Sequence, residues 1–447
     1  MKILKNKLIY LVPFIALLLI GLLSLAFSPA YNPKPKEMPI AVVNLDEGIE
    51  VQGKTQNIGK TFLEKLQSNK KFTDTVKFIE VDSEKALEKG FKDLEYYGSI
   101  VIPKTFTYDA TSAMRKEIQT AKKAEGAVKA KAAQAEMQKK IASGEITPVQ
   151  AQEIAKQMQV KQAKVLEANK DLLKPIEVKQ AELKLSINQG ASPQGAQITD
   201  GILTNMTTKI NDTLAQQSVT QLDNANVKVS AKTMNQLMHP VKVEHTVINE
   251  IKDHQAMGNA PMLFFTPIWL GSLISSVLLY FAFRNSNIIE KRDRFVASIV
   301  QIVAASVAAI VGGFCGVWFI TSVLGFNMPD TFSVSIYISI AMFGFIMLIL
   351  GLMSWLGMPA IPLFMVVLFF SMQLLTLPKQ MLPKFYQDYL FDWNPFRIYG
   401  DGIRQLIYLG HNLEFNVPMQ MYLGFGIFGV VAIILAAVIR PHKGKEA

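Results

Sequence analysis

Six stretches of this chain, at about 8–27, 262–283, 295–324, 332–354, 357–377 and 418–439, are apolar and contain no Asp, Glu, Lys or Arg. A bilayer's hydrocarbon core is spanned by roughly 20 apolar residues in helix. A charge at its centre costs about 2.5–3.5 kcal/mol or more. Six uncharged windows of this length predict a multi-pass α-helical membrane protein with six transmembrane helices. Charge is concentrated elsewhere, above all in Ala110–Lys184, which is dense in Lys, Glu and Gln. That segregation excludes one ordinary soluble globule. A single cysteine, Cys315, excludes a disulfide scaffold.

The net charge of +10 raises the question of nucleic acid, and its placement answers it. With the N-terminus in the cytosol, the inner pieces hold ten basic residues: Lys2, Lys5, Lys7, Arg284, Lys291, Arg292, Arg294, Arg440, Lys443 and Lys445. Only Glu290, Asp293 and Glu446 oppose them. The short outer loop carries Asp330 alone, and the outer segment 378–417 is neutral. Short loops rich in Lys and Arg face the cytosol. Both termini are therefore expected inside and residues 28–261 outside, and the basicity reads as a topology signal, with no nucleic-acid partner. The first apolar run is longer than a signal-peptide core of roughly 7–15 residues, and Ser28-Pro29-Ala30 is a poor cleavage site, so residues 1–30 read as an uncleaved anchor.

Between the first two spans the pattern changes. Pro39–Asn44, Thr75–Val81 and Tyr97–Ile102 are short apolar or alternating runs, hence strands. Ile58–Leu66 and Ser83–Leu94 present helical faces between them. This βαβαβ order predicts an extracellular α/β domain over 31–110, completed by a return segment at 191–260 with a strand near Val241–Ile248. Residues 111–190 read as an inserted helical hairpin. Met114, Ile118, Ala121, Val128, Ala132 and Ala135 form the seam of its first arm, in a coiled-coil-like repeat. Gly144 interrupts it. Thr147-Pro148-Val149-Gln150 reads as a capping box, opening a second arm expected to run to about Leu185 through Ile154, Met158, Val165, Leu172 and Ile176. Each arm would be about 45 Å long. Such a hairpin is either a spacer or a stalk that touches a partner. Residues 186–235, rich in Gln, Asn, Thr and Ser, read as a polar connection with short helices.

Gly48-Ile49-Glu50-Val51-Gln52-Gly53-Lys54-Thr55 matches the phosphate-loop pattern G-x-x-x-x-G-K-[ST]. Three arguments speak against a nucleotide there. The loop falls outside the membrane. Asp46, Glu47 and Glu50 would repel phosphates. The helical face opens only at Ile58, so Lys54-Thr55 lack the helix N-terminus that binds anions. A turn with glycines at left-handed positions explains the same letters. The five histidines lack metal-ligand spacing, and Cys315, within a span, is expected to be buried and inert. Trp269, Trp318, Trp355 and Trp393 fall where interfacial anchors would. No catalytic, metal or cofactor residues emerge, and no enzymatic activity is expected.

Ion-driven carriers keep charged groups at mid-membrane, and these spans have none, so any transport would draw its energy from elsewhere. A short cytosolic loop, Arg284–Arg294, is suited to receive it. Arg284, Glu290, Lys291, Arg292 and Arg294 flank the apolar pair Ile288-Ile289, a pattern fit for docking a soluble protein; plain topological anchoring is the alternative. In the five-helix membrane domain, 261–447, the outer segment 378–417 is too apolar for a free loop. It reads as interfacial or partly re-entrant helices broken by Pro378, Pro383 and Pro395.

One span, a large outer domain, then five spans with a partly re-entrant segment before the last: this order resembles the membrane subunits of ABC-2-type transporters. More specifically the chain is similar to the YhgE/Pip (phage infection protein) group. The stretches that carry the likeness are IAVVNLDEGIEVQGKTQNIGK at 40–60, YYGSIVIPKTFT at 96–107, HPVKVEHTVINEIKDHQAMGNAPMLFFTPIWLGSLI at 239–274, GLMSWLGMPAIPLF at 351–364 and LPKFYQDYLFDWNPFRIYGDGIRQLIY at 382–408. The resemblance implies a bacterial cell-membrane protein that works as a homodimer or with a related membrane subunit. It also implies a cytosolic ABC ATPase, encoded separately, docking near Arg284–Arg294, and contact with membrane lipid. It places the phosphate-loop match inside the family's outer-domain motif. The permease-like reading is of an exporter of an amphipathic compound or polymer. Related large proteins suggest a different one, an envelope interaction protein that meets a phage or a type VII secretion-system component without transporting anything.

Overall fold

The computed structural model describes residues 17, 18, 20–31, 33–51, 54–68, 74–147, 149–150, 152–154, 156–157, 160, 175–286 and 288–440. The described residues include a sheet domain and a helical bundle.

Strand β1 (Met38–Asn44) lies inside the sheet domain and is buried except at half-buried Pro39 and at its end, because six of its seven residues are apolar or small. A hairpin of β2 (Ile49–Val51) and β3 (Lys54–Gln56) follows, then helix α1 (Ile58–Ser68), β4 (Val76–Glu80), α2 (Glu84–Lys92) and β5 (Gly98–Ile102). Ser83 caps α2, its hydroxyl accepting from the Ala86 N–H at 3.2 Å. Strands β4 and β5 flank β1 in parallel, as the βαβαβ pattern predicts. The short α3 (Phe106–Ala110) leads into the long α4 (Ser112–Ala142).

Two expectations for the following stretch are corrected. Residues 175–180 are not helical, and Ala181–Asn188 is strand β6, antiparallel to β5. Its alternation decides this: Ala181, Leu183, Leu185 and Ile187 are buried, whereas Glu182 and Lys184 are exposed. A period of two fits a pleated strand and cannot keep one helical face. The supposed polar connection holds a 32-residue helix, α5 (Pro193–Asn224). Ser192 caps it from Gly195 N–H at 3.2 Å, and Pro193 opens it. Ala196, Leu203, Met206, Ile210 and Leu214 recur at helical spacing and are buried on the sheet. After α6 (Ala231–Met238), β7 (Val241–Ile248) pairs in parallel with β6 and ends the sheet order β4-β1-β5-β6-β7.

Apolar residues of α1 and α5 cover one face of this sheet, and Leu87 and Phe91 of α2 cover the other around Ala41, Val43 and Val101. Only the base of α4 joins in: Ala113 and Met114 pack on Leu222 and Leu237. Farther along it is exposed, Val128 by 67%. Gly144 ends this arm with φ +76. The capping box forms, with Thr147 N–H donating to Gln150 Oε1 at 3.0 Å and Gln150 N–H to Thr147 Oγ1 at 3.4 Å. Met158, Val165 and Leu172 of the second arm lie outside the described residues.

Asp46 organises the end of β1. It is 8% exposed. Its Oδ1 accepts from the N–H groups of Gly48 (3.2 Å) and Thr107 (3.0 Å); its Oδ2 accepts from Gly59 N–H (2.9 Å) and the Thr107 hydroxyl (2.5 Å). Thr107 Oγ1 in turn accepts from Ile58 N–H at 2.8 Å. One carboxylate thus serves the first turns of α1 and α3, where unpaired donors and the helix dipoles favour negative charge.

The bundle contains α7 (Ala260–Asn285), α8 (Lys291–Trp318, prolonged by a π turn Phe319–Val323), α9 (Thr331–Leu356), α10 (Ala360–Thr376), α11 (Lys384–Tyr389), α12 (Pro395–Ile407) and α13 (Val417–Ile439). Among the described residues α7, α8 with its π turn, α9 and α13 are long and apolar enough to cross a membrane. The expected span 357–377 is shorter: Gly357 (φ +73) and Pro359 delay the start of α10, leaving 17 residues, about 25 Å. The expected first span, 8–27, lies largely outside the described residues; its described end, 20–26, is helical. Helix α9 is the central element. It packs closely on α13, where Gly351 faces Gly429 and Gly344 faces the Tyr422 backbone. Small residues let helix backbones approach where no hydrophobic drive exists.

Trp269 is 1% exposed, at the centre of a ring cluster with Phe265, Phe345, Phe364 and Phe396. It is a core residue and not an interfacial anchor, in contrast to Trp318, Trp355 and Trp393, which are exposed. Cys315 is also exposed on the bundle surface and not buried.

Candidate functional site

Two features of the bundle bear on function, at opposite ends of α8. The first is an apolar groove of about 760 Å³ bordered by the first turns of α7, the last turns of α8 and the first half of α9. Its shape follows from the residues. Pro267 interrupts the α7 hydrogen-bond ladder in mid-helix. Gly312 brings α8 against α9: a Cβ there would sit 2.4 Å from Met342 Sδ. One turn on, Gly316 has nothing within 4 Å and leaves the space open. The groove can accept an apolar chain or ring, and offers almost no hydrogen bonds.

The loop 249–258 closes one end of this groove and links β7 to α7. Asn249, His254, Ala256 and Met257 all have φ between +50 and +60, a conformation that costs non-glycine residues about 1 kcal/mol or more each. Surrounding bonds hold it. Asn327 N–H donates to the His254 carbonyl at 2.9 Å, Gln255 Nε2 to the Asn327 carbonyl at 3.1 Å, and the Tyr408 hydroxyl to the Gln255 carbonyl at 2.9 Å. Burial pushes the Tyr408 phenol up to about 12.

A charged triplet lies on α12. Arg397 and Arg404 both bind Asp401 on α12, at 2.5 and 3.1 Å. Arg397 stacks on Phe391, 4.4 Å from the ring centroid. Arg404 also donates to the Leu375 carbonyl at 2.5 Å, at the C-terminal end of α10 where a cation is favoured. Above the triplet, the Tyr97 hydroxyl of the sheet domain donates to Gln380 Oε1 at 3.0 Å, and burial holds its pKa well above the ordinary phenol range. In the sequence, Arg397, Asp401 and Arg404 count among the charges that leave 378–417 neutral. Their i, i+4, i+7 spacing, on one face of an otherwise apolar helix, was the available signal.

The second feature is the loop Arg284–Arg294. Arg284, Ile289, Glu290, Lys291 and Arg292 are exposed, Ile289 by 73%, and Ile288 is half-buried. Arg294 stands apart from them. It is buried and donates to the Ala436 carbonyl at 3.2 Å and to the Arg440 carbonyl. It therefore neutralises the C-terminal end of α13 and offers no surface to a partner. Arg440 continues the tie by donating to the Ser354 carbonyl of α9 at 2.6 Å.

The phosphate-loop match folds differently from a nucleotide cradle. Lys54 and Thr55 lie in β3, antiparallel to β2, with Thr55 opposite Glu50; Gln52 and Gly53 lie outside the described residues. Gly48, at φ +72, makes the turn into the hairpin. Among the described residues no group of three or more His, Cys, Asp or Glu could hold a metal ion.

A family model described as ABC-2 family transporter protein matches residues 7–439. No curated protein matches the chain, and no solved structure does.

Proposed function

Because the chain belongs to the ABC-2 family of transporter proteins, we propose that it is the permease-like membrane subunit of an exporter of amphipathic compounds. Membrane subunits of this family typically work with a cytosolic ATPase. We place the chain in the YhgE/Pip group, with six transmembrane helices, cytosolic termini and an extracellular sheet domain, working as a homodimer. The ATPase docks on the loop 284–292. Ile288 and Ile289 supply the apolar contact, and Arg284, Glu290, Lys291 and Arg292 set its register. Arg294 acts behind them by holding α8 to α13. The observation that carries this reading is the projecting Ile289 among exposed charges, at the end of the bundle opposite the apolar groove. Gly48–Thr55 is a structural hairpin in this proposal, with no nucleotide chemistry of its own.

The test is co-purification. Charge reversal at Arg284, Lys291 and Arg292 together should cut recovery of the soluble ATPase at least tenfold, about 1.4 kcal/mol in binding. Surface changes of this kind leave stability within about 0.5 kcal/mol. Undiminished recovery from a folded triple variant would sink the proposal.

The other reading, an envelope interaction protein, is favoured by one observation: most of α4 is solvent-exposed and carries apolar residues such as Val128. Under that reading, deleting 115–174 abolishes function and the loop reversals are silent. Under ours the loop reversals abolish it.

A further inference from the structure

The sheet ends on one side at β7, and most of that edge is open. In a parallel pair, alternate residues turn their N–H and C=O groups to the neighbouring strand. Pro240 and Ile248 turn their carbonyls to β6, accepting from Ala181 N–H at 2.9 Å and Gln189 N–H at 3.1 Å. Lys242, Glu244 and Thr246 share that direction, so Val241, Val243, His245 and Val247 point theirs outward. Asn211 of α5 shows the same. Its side-chain amide accepts from Val241 N–H at 2.9 Å and donates to the Val241 carbonyl at 3.2 Å, as a neighbouring strand would. It serves Val241 alone. Among the described residues nothing bonds the outward groups of Val243, His245 and Val247, and residues 244–247 are exposed. An open edge is a template for a further strand, and β7 holds no proline that would blunt it.

Beside the open stretch lies a cavity of about 530 Å³. Pro193, Gln197 and Asp200 of α5 form one wall, Val247 of β7 another, and Ile251 and Met257 of the exit loop a third. The same loop turns His254 and Ala256 to the bundle groove, so it separates the two spaces. We propose that β7 takes up an extended, proline-free peptide segment of another protein as a sixth strand. Main-chain bonds to Val243, His245 and Val247 hold the segment, and a side chain on its α5 face enters the cavity. Pro193, Ile251 and Met257 suit that side chain to be apolar. A second copy of this chain fits the edge poorly. β6 and β7 both run toward the bundle: Gly190, just past β6, lies against Leu409, and β7 continues into α7. Antiparallel pairing of two β7 strands would set the bundles at opposite ends of one sheet, out of a common bilayer. Parallel pairing staggers the bonded residues by one and breaks the twofold symmetry that closes a dimer. The edge is separate from the loop 284–292, so the site goes beyond the permease reading and does not rest on it.

Random dodecapeptides displayed on yeast and panned against the full chain in nanodiscs test it. His245→Pro removes an outward N–H; edge positions whose N–H faces solvent accept proline, so the fold should survive while enriched peptides lose binding at least tenfold. In synthetic copies of those peptides, N-methylation of one alternating set of amides should cost at least tenfold and of the other set little. That measurement stands even if His245→Pro does not fold. Bound peptide should slow amide exchange at Val243 and Val247 at least tenfold and leave Glu244 unchanged. Absence of enrichment, binding indifferent to both changes, or a chain whose self-association disappears with His245→Pro each overturns the proposal.

Discussion

Replacing Asp46 by alanine is expected to destabilise the sheet domain by about 3–5 kcal/mol. The carboxylate accepts four hydrogen bonds, from Gly48, Gly59 and twice from Thr107. Loss of a single N-cap costs about 1 kcal/mol, and here two helices lose their acceptor together. The orphaned donors remain inside, since Gly59 and Thr107 are buried, and an unsatisfied buried donor costs about 1–3 kcal/mol. Asp46→Asn should be little better, because one of its two atoms becomes a donor facing donors. Lys54→Ala, in the same phosphate-loop-like stretch, should change stability by less than about 0.5 kcal/mol. The check is the thermal midpoint of the purified chain, alongside the rate of proteolysis within 40–110. A tolerant Asp46→Ala would show that α1 and α3 find other acceptors.

Gly429→Val is the second large effect. A Cβ at Gly429 would lie 2.2 Å from the Met347 carbonyl oxygen and 2.4 Å from its carbon. Both atoms are backbone, so no side chain can rotate away. The helices must separate, and with them the contacts of Gly351 on Gly429 and Gly344 on Tyr422. Overpacking typically costs about 1–3 kcal/mol, and we expect the upper end or beyond, because α9 is the helix around which the others pack. The variant should be lost from membranes or elute as aggregate. Gly424→Val, at a position with nothing within 4 Å, should accumulate normally. Equal abundance of the two would contradict the close approach of α9 and α13.

Legibility in the sequence varied with the strength of the local signal. Absence of charge over 20 residues is strong, and α7, α8, α9 and α13 lie where it predicted. The parallel strands β1, β4 and β5 were also readable, because β1 and β5 are short apolar runs and β4 alternates. β6 is hard to read in the sequence because Leu183 and Leu185 also suit a continuation of the helical arm expected before them; four alternating residues are too few to overrule a long neighbouring repeat. Helix α5 was hidden by its own composition. Thr199, Thr207 and Ser218 occupy buried positions on it, so polarity by itself suggested a connection. Trp269 was misplaced because nearness to the end of a segment says nothing of which face a residue occupies. The Asp46 network was the least legible: its partners, 2 to 61 positions distant, are joined only by the fold.

The chain enters the sheet domain through 33–37 and leaves it through 249–259, and both passages are fastened to the bundle. Lys36 N–H bonds the Gln380 carbonyl at 3.1 Å, and the exit loop is pinned to Asn327 and Tyr408. A body moored at two separate points cannot swing on either. It must ride with whatever carries it, so any rocking of the helices should displace the whole sheet as a plate. Spin labels on β4 and β7, at opposite edges, would then keep their mutual distance while both shift against α13.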